Sequence, residues 1–158
     1  MIENLNKQEI LSVLKRNYIG RIGCYFEDTP HIIPITYAFD LESGHIISHT
    51  REGFKSKIFR ENPIVCLQVE ELENLNNWKS IIIYGEFEEL YGVTARKALH
   101  IFVKNIRPLV NTNDSQNVAF VSDISHSTHP DNQAKSYRIK PYRMAGKYEK
   151  EYNDVMSN

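Results

Sequence analysis

Between positions 47 and 63 the chain reads ISHTREGFKSKIFRENP. Arg51, Lys55, Lys57 and Arg60 crowd into ten residues there, just after an apolar run ends, and Thr50 and Ser56 add hydroxyl donors. Three chemistries compete for such a stretch: a solvated helix face, a metal site, or a pocket for an anionic ligand. A helix starting near Lys55 would turn its free N–H groups toward a phosphate, and a phosphate rewards several charged donors at once. Charge runs are also common on faces that only meet water. Lys55 and Lys57 stand two apart, so they point differently unless the local turn curls. Trp78, the only tryptophan, opens a long apolar run beside Lys79 and Ser80. Such a residue commonly packs in a core or an interface. A flat aromatic ligand with a phosphate tail would use it together with the cations.

The metal reading starts from His45 and His49, four residues apart in HIISH. On a helix they would share one face, but HIISH reads as a strand. Four residues of strand span roughly 13 Å at ~3.3 Å each, and zinc held at about 2 Å from each nitrogen does not bridge that gap. His126 and His129 fall in a polar tract and read as loop histidines. No metal site is expected. Cys24 and Cys66 have no CxxC spacing and sit in apolar runs, as buried free thiols do. There is no GxSxG elbow, no GxGxxG and no phosphate-binding P-loop. Glu88 and Glu89 read as the solvated face of a strand end.

The chain has 158 residues, 41% hydrophobic and 25% charged, with 19 basic against 20 acidic side chains and a net charge of -1. That length suits one domain, spanning 1–158, with its own core. The charge balance argues against nucleic acid as a partner, because phosphate neutralisation needs a basic surface. The N-terminal MIENLNKQEILSVLKRN carries charge throughout, unlike a signal peptide or a membrane span, so a cytoplasmic protein without membrane contact is expected.

The elements that must position these residues follow from local pattern. Asn6 with Glu9 three residues on marks a helix start, and Ile10, Leu11 and Leu14 supply its apolar stripe. YIGRIGCYF and HIIPITYAFD, parted by EDTP, read as a hairpin. Pro34 removes one ladder donor, which puts its strand at an edge or at a bulge. KSKIFREN is long enough for one or two helical turns with Ile58 and Phe59 inward. PIVCLQVE and WKSIIIYGEFEELYG are strands, the second with Phe87 and Leu90 alternating against Glu86 and Glu88. TARKALHIFVKN is helical, VAFVSDI is strand or short helix, and KSYRIKPYRMAGKY is a last strand. About six short strands with two helices make an antiparallel, mainly β (α+β) barrel or sandwich with attached helices.

HIIPITYAFD, ISHTREGFK, RENPIVCLQVE, WKSIIIYGEFEEL and YRIKPYRMAGK stand in an order and spacing that resemble the pyridoxamine 5′-phosphate oxidase-like, FMN-binding split-barrel family. The nitroimidazole-resistance (Nim-type) subgroup is the most similar part of it. The resemblance runs from the first helix to about Lys147. It implies a homodimer of antiparallel split β-barrels with FMN, or FAD, which shares its ring and first phosphate, at the subunit interface. It implies further that Ile33, Pro34, Ile35 and Thr36 run along the isoalloxazine ring. His49, Thr50, Lys55 and Lys57 would hold the ribityl phosphate, with Lys55 matching the family's phosphate lysine. Trp78, Lys79 and Ser80 would close the site from the other subunit, although Lys79 stands where an arginine fork is usual. His49 matches the histidine on the substrate side of the flavin. The Arg-x-His element of pyridoxamine-phosphate oxidases is missing near the C-terminus, which argues against vitamin B6 synthesis. The expected function is flavin-dependent reduction of a small electrophilic or nitro-aromatic molecule. The alternatives are a flavin carrier or sensor without turnover, and a haem-binding split barrel resting on His126 and His129.

Overall fold

A computed structural model describes residues 1–51, 54–110 and 134–150, without the side chains of residues 50, 51, 54–56 and 134. His126, His129 and the VAFVSDI stretch lie outside the described residues. In chain order the elements are β1 (Ile2–Asn4), α1 (Lys7–Arg16), β2 (Ile19–Phe26), β3 (Thr29–Asp40), β4 (His45–Arg51), α2 (Phe54–Glu61), β5 (Ile64–Asn74), β6 (Asn77–Leu90), α3 (Gly92–Ile106) and β7 (Ala134–Glu149). The described residues thus hold seven strands and three helices. The sequence reading missed β1, whose three residues are too short to carry a pattern, while the eight residues of α2 make the expected two turns.

All strands join one antiparallel sheet, ordered β1-β7-β4-β3-β2-β5-β6, and β6 pairs back onto β7. That last pairing closes the sheet into the split barrel. β7 makes closure possible by serving two partners along its length: Ala134 to Ile139 face β4, and Ser136 to Glu149 face β6. The β6–β7 register shifts between Tyr84 and Gly85, where Tyr142 is the extra residue, and such a bulge bends a strand.

Local chemistry sets the ends. Asn6 and Glu9 form the expected capping box: the Asn6 side chain accepts from the Glu9 N–H at 3.0 Å, and the Asn6 N–H donates to the Glu9 carboxylate at 2.7 Å. Glu27 and Asp28, both with positive φ, make the two-residue turn between β2 and β3, the twist that a tight hairpin requires. At the β3–β4 turn the Asp40 carboxylate accepts from the Ser43 hydroxyl at 2.6 Å, and Gly44 takes φ +72.

The barrel interior is filled by Leu14, Ile22, Tyr37, Ile46, Leu67, Ile81 and their neighbours. A second apolar cluster forms where α3 covers the outer side of β3 and β4, with Ala38, Ile47, Leu90, Phe102 and Ile106 buried. Phe87 and Leu90 are therefore both buried, but on opposite faces of β6. They do not alternate as one inward set, because α3 shields the outer face. α1 is pinned by an Arg16–Glu71 fork, with Nη2 to Oε2 at 2.6 Å, and by the Tyr37 hydroxyl donating to the Leu14 carbonyl at 3.0 Å.

Candidate functional site

The chemistry-bearing stretch lies where the barrel splits. β3 pairs with β2 from Thr29 to Thr36, but with β4 only from Tyr37 to Asp40. β4 keeps β3 as a neighbour up to Ser48; His49, Thr50 and Arg51 then pair with β7 alone. The edge of β3 before Tyr37 therefore has no β4 partner, as Pro34 led us to expect. The Tyr37 N–H donates to the Tyr18 carbonyl at 2.8 Å. Antiparallel alternation then turns the backbone polar groups of Ile32, Pro34 and Thr36 away from β2, toward the split. Proline occupies a position where no β2 bond is lost. The side chains of Ile33 and Ile35 stand on the inner face of the sheet and pack against the core. At the top of the split the buried Ser48 hydroxyl donates to the Thr36 carbonyl at 2.9 Å.

His49 follows immediately. Its Nδ1 lies 3.2 Å from the Ser136 hydroxyl, directly across the β4–β7 ladder, and its ring centroid is 6.3 Å from that of Phe102 on α3. Burial disfavours the charged ring and lowers its pKa below the ordinary 6.5. Sequence reasoning found His49 but neither Ser136 nor Phe102, since both contacts depend on a register that local pattern does not reveal.

Thr50 lies on β4 across from Lys135, and Lys55 on the first turn of α2, with both side chains outside the description. Lys57 is exposed, its ammonium 5.7 Å from the centre of the Phe26 ring. Arg60 is not a free anion ligand, because its guanidinium grips Glu89 at 2.9 and 3.2 Å. Lys135 meets the same carboxylate at 2.8 Å, and only 8% of the Glu89 side chain is exposed. Burial alone would raise the Glu89 pKa, but hydrogen bonds from Arg60, Lys135 and Tyr91 bring it down to about 2. The expectation of a solvated Glu88–Glu89 face thus fails for Glu89. Glu88 pairs with Arg138 at 2.6 Å. Beside this cluster, Phe59, Pro63, Phe87 and Tyr137 line a cavity of about 250 Å³.

Trp78, Lys79 and Ser80 lie far from His49 in the same chain. His49 and Leu90 both pair with Ser136, whereas Trp78 pairs with Glu149. From Ser136 to Glu149 the strand runs roughly 40 Å at ~3.3 Å per residue. Trp78 to Ser80 thus occupy the opposite end of β6, half-buried, with the Ser80 hydroxyl accepting from Gln68 at 3.3 Å. No group of histidine, cysteine and carboxylate side chains among the described residues could hold a metal ion. Cys24 and Cys66 are free. No described helix is long and apolar enough to cross a membrane.

Residues 6–148 match the family model of pyridoxamine 5′-phosphate oxidase. An uncharacterized protein of Rhizobium meliloti (strain 1021) is 31% identical over 86 residues, 54% of this chain and 56% of its own length, so the match spans about half of that relative. Among solved structures, a FAD-binding protein from Mesorhizobium loti superposes with a TM-score of 0.70 at 24% identity, covering 94% of this chain and 98% of its own. A candidate 5-nitroimidazole antibiotic resistance protein from Bacteroides thetaiotaomicron VPI-5482 gives 0.64 at 15% identity, covering 94% and 89%. At those identities the likeness concerns the fold.

Proposed function

The chain belongs to the pyridoxamine 5′-phosphate oxidase family, and from that premise we infer that it binds a flavin, FMN first of all, and reduces a small electrophile such as a nitro-aromatic. The observation that carries this reading is the split between β3 and β4. A strand edge with outward N–H and C=O groups suits the pyrimidine edge of an isoalloxazine, which carries both donors and acceptors. The residues present fit that group. Ile32 and the Thr36 N–H would offer backbone groups along the edge, with Pro34 between them. Thr50 and Lys55 follow in the segment that would hold the phosphate, and Lys57 supports that charge from beside Phe26. The FAD-binding relative and the nitroimidazole-related one support the ligand class and the acceptor class respectively.

Bound flavin would supply the redox chemistry, taking two electrons from a reduced nicotinamide and passing them to the acceptor. The protein's own part is to bind, orient and exclude water. His49 stands at the mouth of the split beside Ser136, and in its protonated form its imidazolium would deliver a proton to the reduced acceptor.

The same reading calls for a homodimer. A ligand held at the β4 end of one chain is out of reach of that chain's own Trp78, so Trp78, Lys79 and Ser80 would come from the second chain. The outer face of β3, β2 and β5 supports this, because Ile32 is 75% exposed and Tyr25, Ile64 and Ile19 are also exposed. A sheet face so apolar marks an interaction surface.

The test is the visible spectrum of the purified protein, with mass identification of any compound released on denaturation. Flavin bands and an FMN mass support the reading. A protein that takes up neither FMN nor FAD in titration overturns it. Reduction of a 5-nitroimidazole by NADH or NADPH then separates an enzyme from a carrier.

A further inference from the structure

We propose that Glu89 is a positioning residue for the phosphate-holding segment, acting by tying α2 and the start of β7 together. The inference rests on the flavin reading above and adds a residue to it. β6 presents Phe87 and Glu89 on one face, as strand periodicity requires. Phe87 stacks on Phe59 of α2 at 3.8 Å and lies 4.8 Å from the Tyr137 ring of β7. Glu89 repeats the same bridge with charge, reaching Arg60 of α2 and Lys135 of β7.

Those two partners flank the segment in question. Lys135 stands directly across the ladder from Thr50, and Arg60 lies on the helix that carries Lys55. One carboxylate therefore links the β7 position across from Thr50 to the helix that carries Lys55. A largely buried carboxylate with two cationic partners is costly to disturb, since loss of its charge weakens two charge-assisted contacts at once. Apolar packing alone holds distance but not orientation, whereas the two-pronged Arg60 contact fixes the helix's rotation as well. Glu89 reaches both cations without being expected to touch the ligand.

The test compares FMN with riboflavin, which lacks the phosphate, by fluorescence titration of the full-length protein. Glu89→Gln is expected to weaken FMN binding by about tenfold or more while leaving riboflavin affinity within about twofold of wild type. Arg60→Met, which keeps Glu89 paired with Lys135, should show the same selective loss, and it carries the test if Glu89→Gln does not fold. Glu71→Gln breaks the remote Arg16 fork and should leave both affinities unchanged. Equal losses for FMN and riboflavin, or wild-type affinity for both, would overturn the role of Glu89. A wild-type protein that binds neither ligand overturns the flavin reading instead.

Discussion

The His49 imidazole and the Ser136 hydroxyl face each other across the β4–β7 ladder, 3.2 Å apart. Ser136 is 4% exposed, and a buried hydroxyl on a strand has little freedom to leave its partner. It can donate to or accept from Nδ1, which turns the ring and leaves Nε2 for whatever lies in the split. The same burial that holds the pair together lowers the His49 pKa.

That relationship predicts how stability and activity depend on pH. A histidine whose folded pKa lies below its unfolded 6.5 contributes stability that is fully present above pH 6.5 and is lost as pH falls through the folded value. His49→Gln should flatten that acid limb in urea titrations. In turnover, His49→Ala should keep its flavin but reduce a nitro-aromatic roughly 10²–10⁴-fold more slowly, the span of general acid catalysis. A flavin-loaded His49→Ala protein with the wild-type rate would remove His49 from the chemistry with that acceptor.

Lys55 and Lys57 should differ although they are two residues apart. Lys55→Ala is expected to weaken FMN binding by about 1.5–3 kcal/mol, the range for a hydrogen bond to a charged group. Lys57 already lies over Phe26, an exposed cation–π contact of about 0.5–1 kcal/mol, so Lys57→Ala should shift stability more than affinity. Paired titration and thermal melts of the two variants check this. Unchanged affinity in Lys55→Ala would end the phosphate assignment.

What the sequence made legible was whatever lies within a few residues. The Asn6–Glu9 box, the end of β4 pairing on the Pro34 side of β3 and the strand character of HIISH all follow from short-range steric and hydrogen-bonding rules. What stayed hidden depends on register between distant strands. Glu89 looked solvated because Arg60 and Lys135 lie 29 positions before it and 46 after it in the chain. Leu90 looked like a partner of Phe87 because α3, which buries it from the other side, leaves no mark in β6 itself. Ser136 had no reason to stand out until β7 was seen to cross from β4 to β6.

The bulge at Tyr142 gives a stability prediction. A Cβ on Gly85 would lie 2.6 Å from Cγ2 of Ile139 and 2.7 Å from the Lys140 carbonyl. Cγ2 of Ile139 is held by the stiff χ1 of a buried β-branched side chain, and the backbone oxygen belongs to a paired strand, so neither yields cheaply. Gly85→Ala should therefore cost about 1–3 kcal/mol, as overpacking of a tight core does, read as a lower urea midpoint at unchanged slope. Wild-type stability would mean that β7 yields at the bulge without penalty.

The last prediction separates a site built within one chain from a site shared between two. Lys55 and Trp78 sit near opposite ends of a barrel whose long strand runs roughly 40 Å between their neighbourhoods. If one flavin needs both, the lysine must come from one protomer and the tryptophan from its partner in an isologous pair. Lys55→Ala and Trp78→Ala homodimers then each have two damaged sites. A mixed dimer puts both lesions into one site and leaves the other whole. Random re-association of equal amounts should thus restore about a quarter of the wild-type flavin sites, since about half the isologous pairs are mixed. A site made within one chain restores none, because every chain in the mixture carries a lesion. Ile32→Glu should abolish the recovery by placing a charge on the apolar outer face. Absence of recovery from well-folded variants, or a monomer by light scattering at micromolar concentration, would show that Lys55 and Trp78 do not share a flavin.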